Sequence, residues 1–255
     1  GQSPMRSAAL CCFLLVTLWG CSSSRLGQLR SQPESPELHW QQLLERKRED
    51  STVETSVVQL RGNVHSPQFA LGLSFRAVVA GRDSLRLELY GPLGMPVGML
   101  YAQPQHAVFY DIWRNVVLEG RSPTAVLAQL LPLTLPYPLL LALLRQELPR
   151  LAAFQTGWDA QRRLLVVRDS SGVVIAVDPE SGALHYAELP TTDAAPVRVF
   201  LREHRRASSP VAQRILIQSP QGDLSIELQE FTRQPSPGMP LSFPLPENVP
   251  RLVLE

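Results

Sequence analysis

Between Val58 and Leu89 the chain alternates apolar and polar residues with a period of two. Val58, Leu60, Gly62 and Val64 are interleaved with Gln59, Arg61, Asn63 and His65; Phe69, Leu71, Leu73 and Phe75 with Ala70, Gly72 and Ser74; Leu85, Leu87 and Leu89 with Arg86 and Glu88. Successive side chains of a strand point to opposite sides, so each segment reads as a strand with one face on a core and one in water. Strands of that kind belong to antiparallel sheets. Gly81-Arg82-Asp83 fits a hairpin turn between two of them. Shorter segments at 97–102, 107–112, 116–118, 163–168, 173–177, 183–189, 197–201, 214–218, 224–229 and 251–254 extend the series, for a whole of about ten strands.

One helix precedes this pattern, and a helical pair interrupts it once. Ser35-Pro36-Glu37 is a helix start, with a capping side chain, a proline suited to the first turn and an acid at the positive end of the dipole. The helix predicted over 36–50 places Trp40, Leu43, Leu44 and Lys47 on one face. Ser122-Pro123 opens a second helical region, with short helices expected at 124–131 and 139–145. The stretch 126–144 is nearly all apolar and about as long as a membrane span. Pro132, Pro136 and Pro138 stand inside it, each costing roughly 3 kcal/mol in a helix interior. A leucine-rich lid over the sheet is the better reading.

With 44% hydrophobic residues in 255, the chain has enough apolar mass for a sizeable core. A net charge of +1 gives no sign of nucleic-acid binding. The five histidines show no metal-ligand spacing, and no nucleophile elbow or phosphate loop is present. No catalytic residue, metal or dissociable cofactor is expected. Asp111 and Glu119 read as solvated carboxylates. The run Arg202-Glu203-His204-Arg205-Arg206 reads as a solvated loop, with contact to anionic headgroups as the alternative.

The cysteines, Cys11, Cys12 and Cys21, all lie near the N-terminus. After Met5 come Arg6, a mostly apolar run at 8–19, and Leu18-Trp19-Gly20-Cys21. That run is shorter than the roughly 20 residues of a membrane helix and has the length of a signal-peptide core. The ending resembles a bacterial lipobox, although Trp19 is bulkier than the residue usual at its position. The resemblance implies diacylglycerol transfer to the Cys21 thiol, cleavage, and acylation of the new amino terminus. An ordinary secretory signal with a chance cysteine is the alternative. Ser22 in place of aspartate favours the outer membrane by the same resemblance. The expected organisation is an extension and signal peptide at 1–20, a Ser/Gln/Pro-rich tether at 21–35, and one domain at 36–255. Thirteen or so extended tether residues could span roughly 40 Å.

Several short motifs recur in a recognisable order. Arg61-Gly62 follows the first helix. Leu85-Arg86-Leu87-Glu88-Leu89 runs into Gly91-Pro92-Leu93-Gly94. Ala102-Gln103-Pro104 comes one strand later, and Leu135-Pro136-Tyr137-Pro138-Leu139 lies in the helical interlude. Together with the lipobox and tether, these resemble the LolA/LolB family of lipoprotein carriers, nearest to its membrane-anchored branch. The resemblance covers about 90 residues, and the region 162–228 is longer than the family requires. It implies an unclosed, curved antiparallel half-barrel with helices plugging the concave face over a cavity for acyl chains. Phe69, Leu71, Leu73, Phe75, Leu85, Leu87, Leu89, Leu139, Leu140 and Leu143 would line that cavity. A dry, filled core gives the same pattern.

The resemblance also implies a role. The chain would be anchored in the outer membrane through lipid on Cys21, facing the periplasm. It would receive acylated lipoproteins from a periplasmic, LolA-like carrier and insert them into that membrane. A lipid-binding or envelope-assembly lipoprotein with other cargo, or a structural part of an outer-membrane complex, are the alternatives. Leu93 would enter the leaflet, since in Gly91-Pro92-Leu93-Gly94 the leucine falls at the turn tip. Folding back onto the sheet is its other course.

Overall fold

The alternation becomes register. In β1 (Ser56–His65), Val58 and Leu60 are buried while Gln59 and Arg61 face outward. In β2 (Leu73–Ala80), Phe75, Ala77 and Val79 are buried on the same side, directly beside Gly62, Leu60 and Val58. β3 (Ser84–Tyr90) continues the face with Leu85, Leu87 and Leu89. The computed structural model describes residues 35–49, 56–67, 72–131, 134–151, 154–159, 161–191, 195–205, 211–235 and 241–255. Cys21, Phe69 and Leu71 lie outside them.

Two meanders build one sheet. The first runs through β1, β2, β3, β4 (Pro96–Gln103), β5 (His106–Asp111) and β6 (Val116–Gly120). The second runs through β7 (Phe154–Asp159), β8 (Leu164–Asp169), β9 (Val174–Val177), β10 (Leu184–Leu189), β11 (Val197–His204), β12 (Ala212–Ser219) and β13 (Gly222–Pro235). They join where β1 pairs with β13, antiparallel, with a register shift at Arg61/Gly62. A Cβ at Gly62 would lie 2.1 Å from Glu227 O, so the shift requires glycine there. With β14 (Arg251–Leu254) beside β6, the sheet has 14 strands among the described residues, with β14 and β7 at its two ends. It is an unclosed, curved antiparallel half-barrel with helices on the concave face.

Two strands depart from expectation. β14 pairs with β6 in parallel. The chain before it crosses the outer face, where Arg86 donates to Leu241 O at 3.5 Å and Ser242 O at 3.4 Å, and it reaches the β6 edge running the same way as β6. β7 was not expected, because Phe154-Gln155-Thr156-Gly157-Trp158-Asp159 is mostly polar. Its aromatics pack on α1 (Pro36–Glu49): Trp158 meets His39 edge-on at 5.1 Å, and Phe154 meets Trp40 at 5.9 Å. Trp40 and Leu43 are buried, as the helix face predicts.

The interlude folds as α2 (Pro123–Ala128) and α3 (Tyr137–Arg145). Ser122 Oγ accepts from Ala125 N at 3.2 Å and caps α2. α2 packs on β5 and β6, and α3 on β2. Among the described residues no helix is long and apolar enough to cross a membrane. One apolar core runs under all three helices and both meanders.

An apolar cavity and an exposed loop tip as candidate functional site

Beneath α2 and α3 the core is incompletely filled. A cavity of about 90 Å³ has a floor formed by side chains of five strands: Val64 of β1, Leu73 and Phe75 of β2, Leu85, Leu87 and Leu89 of β3, Ile217 of β12, and Leu224 and Ile226 of β13. Its roof is Leu127 of α2, Leu130, Leu131 and Leu135 of the following connector, and Leu140 and Leu144 of α3. Every lining residue is aliphatic or aromatic. Such a space stays dry, because water needs polar partners it does not find. Pockets that hold a whole small ligand run to about 300–1,000 Å³. The cavity is thus a narrow slot.

Six of the ten residues expected at the cavity line it: Leu73, Phe75, Leu85, Leu87, Leu89 and Leu140. Leu139 and Leu143 do not. They form a stripe one residue back from Leu140 and Leu144, about 100° round the helix. Leu143 is buried in the core. Leu139 faces a separate groove of about 420 Å³ between α3 and the β8–β9 turn, where Arg82, Arg150 and Asp169 stand among leucines and prolines. That groove is wider than the slot and, unlike it, has charged side chains in a largely apolar lining.

α3 is tied to the sheet at both ends. The Tyr137 hydroxyl donates to Asp83 O at 2.6 Å and Ala102 O at 3.0 Å, sharing one proton between them. Burial, and then the nearby Asp83 charge, pushes its ionisation far above the usual range, so the phenol remains a donor. At the other end Arg145 is 1% exposed. Its guanidinium donates to Ser56 O and Val79 O, both at 3.3 Å, and to Ser56 Oγ at 2.6 Å, with Glu147 Oε2 3.2 Å from Nε. Arg233 donates to Glu147 at 2.7 Å and to Arg145 O at 3.2 Å. Gln146, left-handed at φ 52°, ends the helix and exchanges two hydrogen bonds with the Ala212 backbone, at 2.9 and 2.7 Å.

The second feature lies on the β3–β4 connection. Leu93 has φ 62° and ψ 18° within the turn Pro92–Gly94, and its side chain is fully exposed, at 102%. It does not fold back onto the sheet. A left-handed backbone costs a leucine roughly 1–2 kcal/mol, and here no burial offsets it. Met95 is also exposed, as is Trp113 on the adjacent β5–β6 turn. Sequence reasoning passed over Trp113, because an isolated aromatic in a turn leaves no periodic signal.

The polar candidates resolve into ordinary contacts. Asp111 Oδ1 accepts from Arg114 N at 2.9 Å and braces the β5–β6 turn. Glu119 bonds His106 at 3.0 Å and Arg251 at 3.5 Å. Arg202 stacks over Phe200 at 5.3 Å. Among the described residues no cluster of His, Cys, Asp or Glu is placed to hold a metal.

No family model matches the chain, and no curated protein matches it by sequence. Solved structures do. An outer membrane lipoprotein-sorting protein domain from Vibrio parahaemolyticus superposes with a TM-score of 0.50 at 11% identity, covering 78% of this chain and 94% of that one. A LolA superfamily protein from Nitrosomonas europaea gives 0.49 at 9% identity, over 77% and 94%. A DUF1329 family protein from Desulfovibrio piger gives 0.48 at 12%, over 80% and 94%. At such identities the first match is a likeness of fold.

Proposed function

We propose that this chain is a lipid-anchored receptor of the outer membrane that takes acylated lipoproteins from a periplasmic carrier and passes them into the bilayer. The observation that carries the reading is the wholly apolar slot beneath a leucine-rich roof. Acyl chains moving from one apolar site to another avoid water, at about 0.8 kcal/mol per methylene, so exchange between carrier and receptor needs no nucleotide. The fold shared with a lipoprotein-sorting domain supports the same reading.

In this mechanism lipid on Cys21 holds the domain at the membrane. The α2 segment swings away from the sheet and widens the slot to admit the cargo's acyl chains. Leu93 then enters the leaflet and perturbs it where the chains leave. A single leucine contributes roughly 1.5–3 kcal/mol, which is too little to anchor a protein but enough to disturb lipid beside an existing anchor.

The deciding experiment is transfer of a purified lipoprotein from a soluble carrier to this chain and then to liposomes. Leu93→Glu is expected to fold with an unchanged melt, accept cargo and fail to release it. No acceptance from any carrier, with the slot still taking free fatty acid, would point to a lipid-binding lipoprotein with other cargo. No acyl binding at all would leave a structural role.

A further inference from the structure

We infer that the β5–β6 turn is a second membrane contact. Trp113 seats at the headgroup–acyl boundary beside Leu93 and Met95, so the domain meets a lipid surface on two loops and in a fixed orientation. This rests on the receptor reading above and adds a residue to it that the resemblance did not mark.

The two loops are held side by side by the sheet. β4 pairs with β5, with Gly98 opposite Asp111, and Ile112 N donates to Val97 O at 3.1 Å just beyond the ladder. An indole carbon of Trp113 lies 4.0 Å from where a Cβ on Gly91 would stand. The ring therefore sits against the base of the Leu93 loop, yet it remains 67% exposed, with Met95 at 55%. Single exposed apolar residues are ordinary, but three large ones on two adjoining loops make a patch.

Shape and charge choose the partner. Both loops are turn tips, and the Leu93 side chain is fully exposed, so the patch projects from the sheet. A projecting apolar tip suits a bilayer, which it enters without needing a matching groove. Residues 91–95 carry no charged side chain, so the tip enters an apolar phase without desolvating an ion. Tryptophan favours the interfacial layer, where its ring is in hydrocarbon and its N–H in the wet headgroups. Arg114 follows it with its side chain 82% exposed, 3.7 Å from a much less exposed Asp111, and faces outward where lipid phosphates would lie.

The turn is also rigid. Asp111 Oδ1 accepts from Arg114 N at 2.9 Å, and the Tyr110 hydroxyl donates to Asn115 Oδ1 at 2.9 Å, with Asn115 left-handed at φ 51°. The backbone that carries the indole is braced on both sides, so less of the turn's freedom remains to be lost on insertion.

The test uses residues 21–255, which leave out Trp19 with the expected signal peptide, with vesicles of phosphatidylethanolamine and phosphatidylglycerol, part of whose acyl chains carry bromine, which quenches indole emission on contact. Among the described tryptophans, Trp40 is buried and Trp158 is half-buried against His39, so Trp113 dominates quenching from outside. Bromine is expected to quench the native chain strongly, and Trp113→Phe to lose most of that quenching. In a Cys21→Ser background, Trp113→Ala is expected to lower vesicle partitioning about tenfold, and Trp113→Phe to lower it less at an unchanged melt. Emission unaltered by bromine in a chain that still accepts acylated cargo would overturn the inference and leave the receptor reading standing. Quenching without cargo uptake would do the reverse. Protection of Trp113 by a soluble carrier instead of by vesicles would make the patch a protein-docking surface, and would also overturn it.

Discussion

The two halves of the roof are held by different physics. α3 is fastened by directional bonds: Tyr137 to two carbonyls at one end, and Arg145, Gln146 and Glu147 to four strands at the other. α2 and its connector are held by leucine contacts. Among the described residues their side-chain hydrogen bonds are the Ser122 cap and Thr124 Oγ1, which accepts from Tyr137 N at 3.1 Å, and neither reaches the sheet. Apolar contact is not directional and survives sliding, whereas a buried guanidinium pulled from its carbonyls leaves several polar groups unsatisfied. Under the proposed function the difference would assign motion: α3 as the fixed beam, and α2 with its connector as the part that yields to an incoming chain.

The largest expected effect tests the beam. Arg145→Ala removes a buried charge bound to Ser56, Val79 and Glu147, and is expected to cost about 3–5 kcal/mol in urea unfolding. A loss below about 1 kcal/mol would mean α3 is not fastened there. Gln146→Ala strands the buried N–H and C=O of Ala212, with an expected cost of about 1–3 kcal/mol. Hydrogen exchange should then quicken in α3 before it does in α2; the opposite order would reverse the assignment. The smallest effect concerns the yielding half. Ser122→Ala removes a cap and is expected to cost about 1 kcal/mol. Its signature is faster uptake of a fluorescent fatty acid with nearly unchanged global stability. Unchanged uptake would remove α2 from the opening motion.

Much of this was legible before any coordinates, and the failures share a cause. Ser35-Pro36 and Ser122-Pro123 marked helix starts because caps and first-turn prolines act locally. The alternation at Val58–Val64, Leu73–Phe75 and Leu85–Leu89 marked strand faces because it reports which side is wet. Neither signal reports volume, so a filled core and a slot look alike. The phase of α3 was hidden because residues 139–144 are leucine throughout except Ala142, and a helix that is apolar all round shows no preferred face. β7 was hidden because its burial comes from α1, distant in sequence. Leu93 was legible as a tip from its turn residues, whereas Trp113 became visible only when the sheet set its turn beside that tip.

The seam between β1 and β13 also sets a timetable for folding. Each meander pairs strands that are neighbours in the chain, so each can form from short loops. Across the seam, Arg61 and Glu230 are partners 169 residues apart. By the logarithmic rule, closing a loop of that length costs about 3 kcal/mol more than closing a four-residue hairpin. The seam should therefore close last, after two preformed halves have met, and limit the refolding rate. The cavity floor draws on β1–β3 from one half and on β12 and β13 from the other, so it has no existence until that slow step is complete. Until then the edges of β1 and β13 would stay unpaired and the slot unformed, so the same step that covers those two edges also creates the apolar space between them.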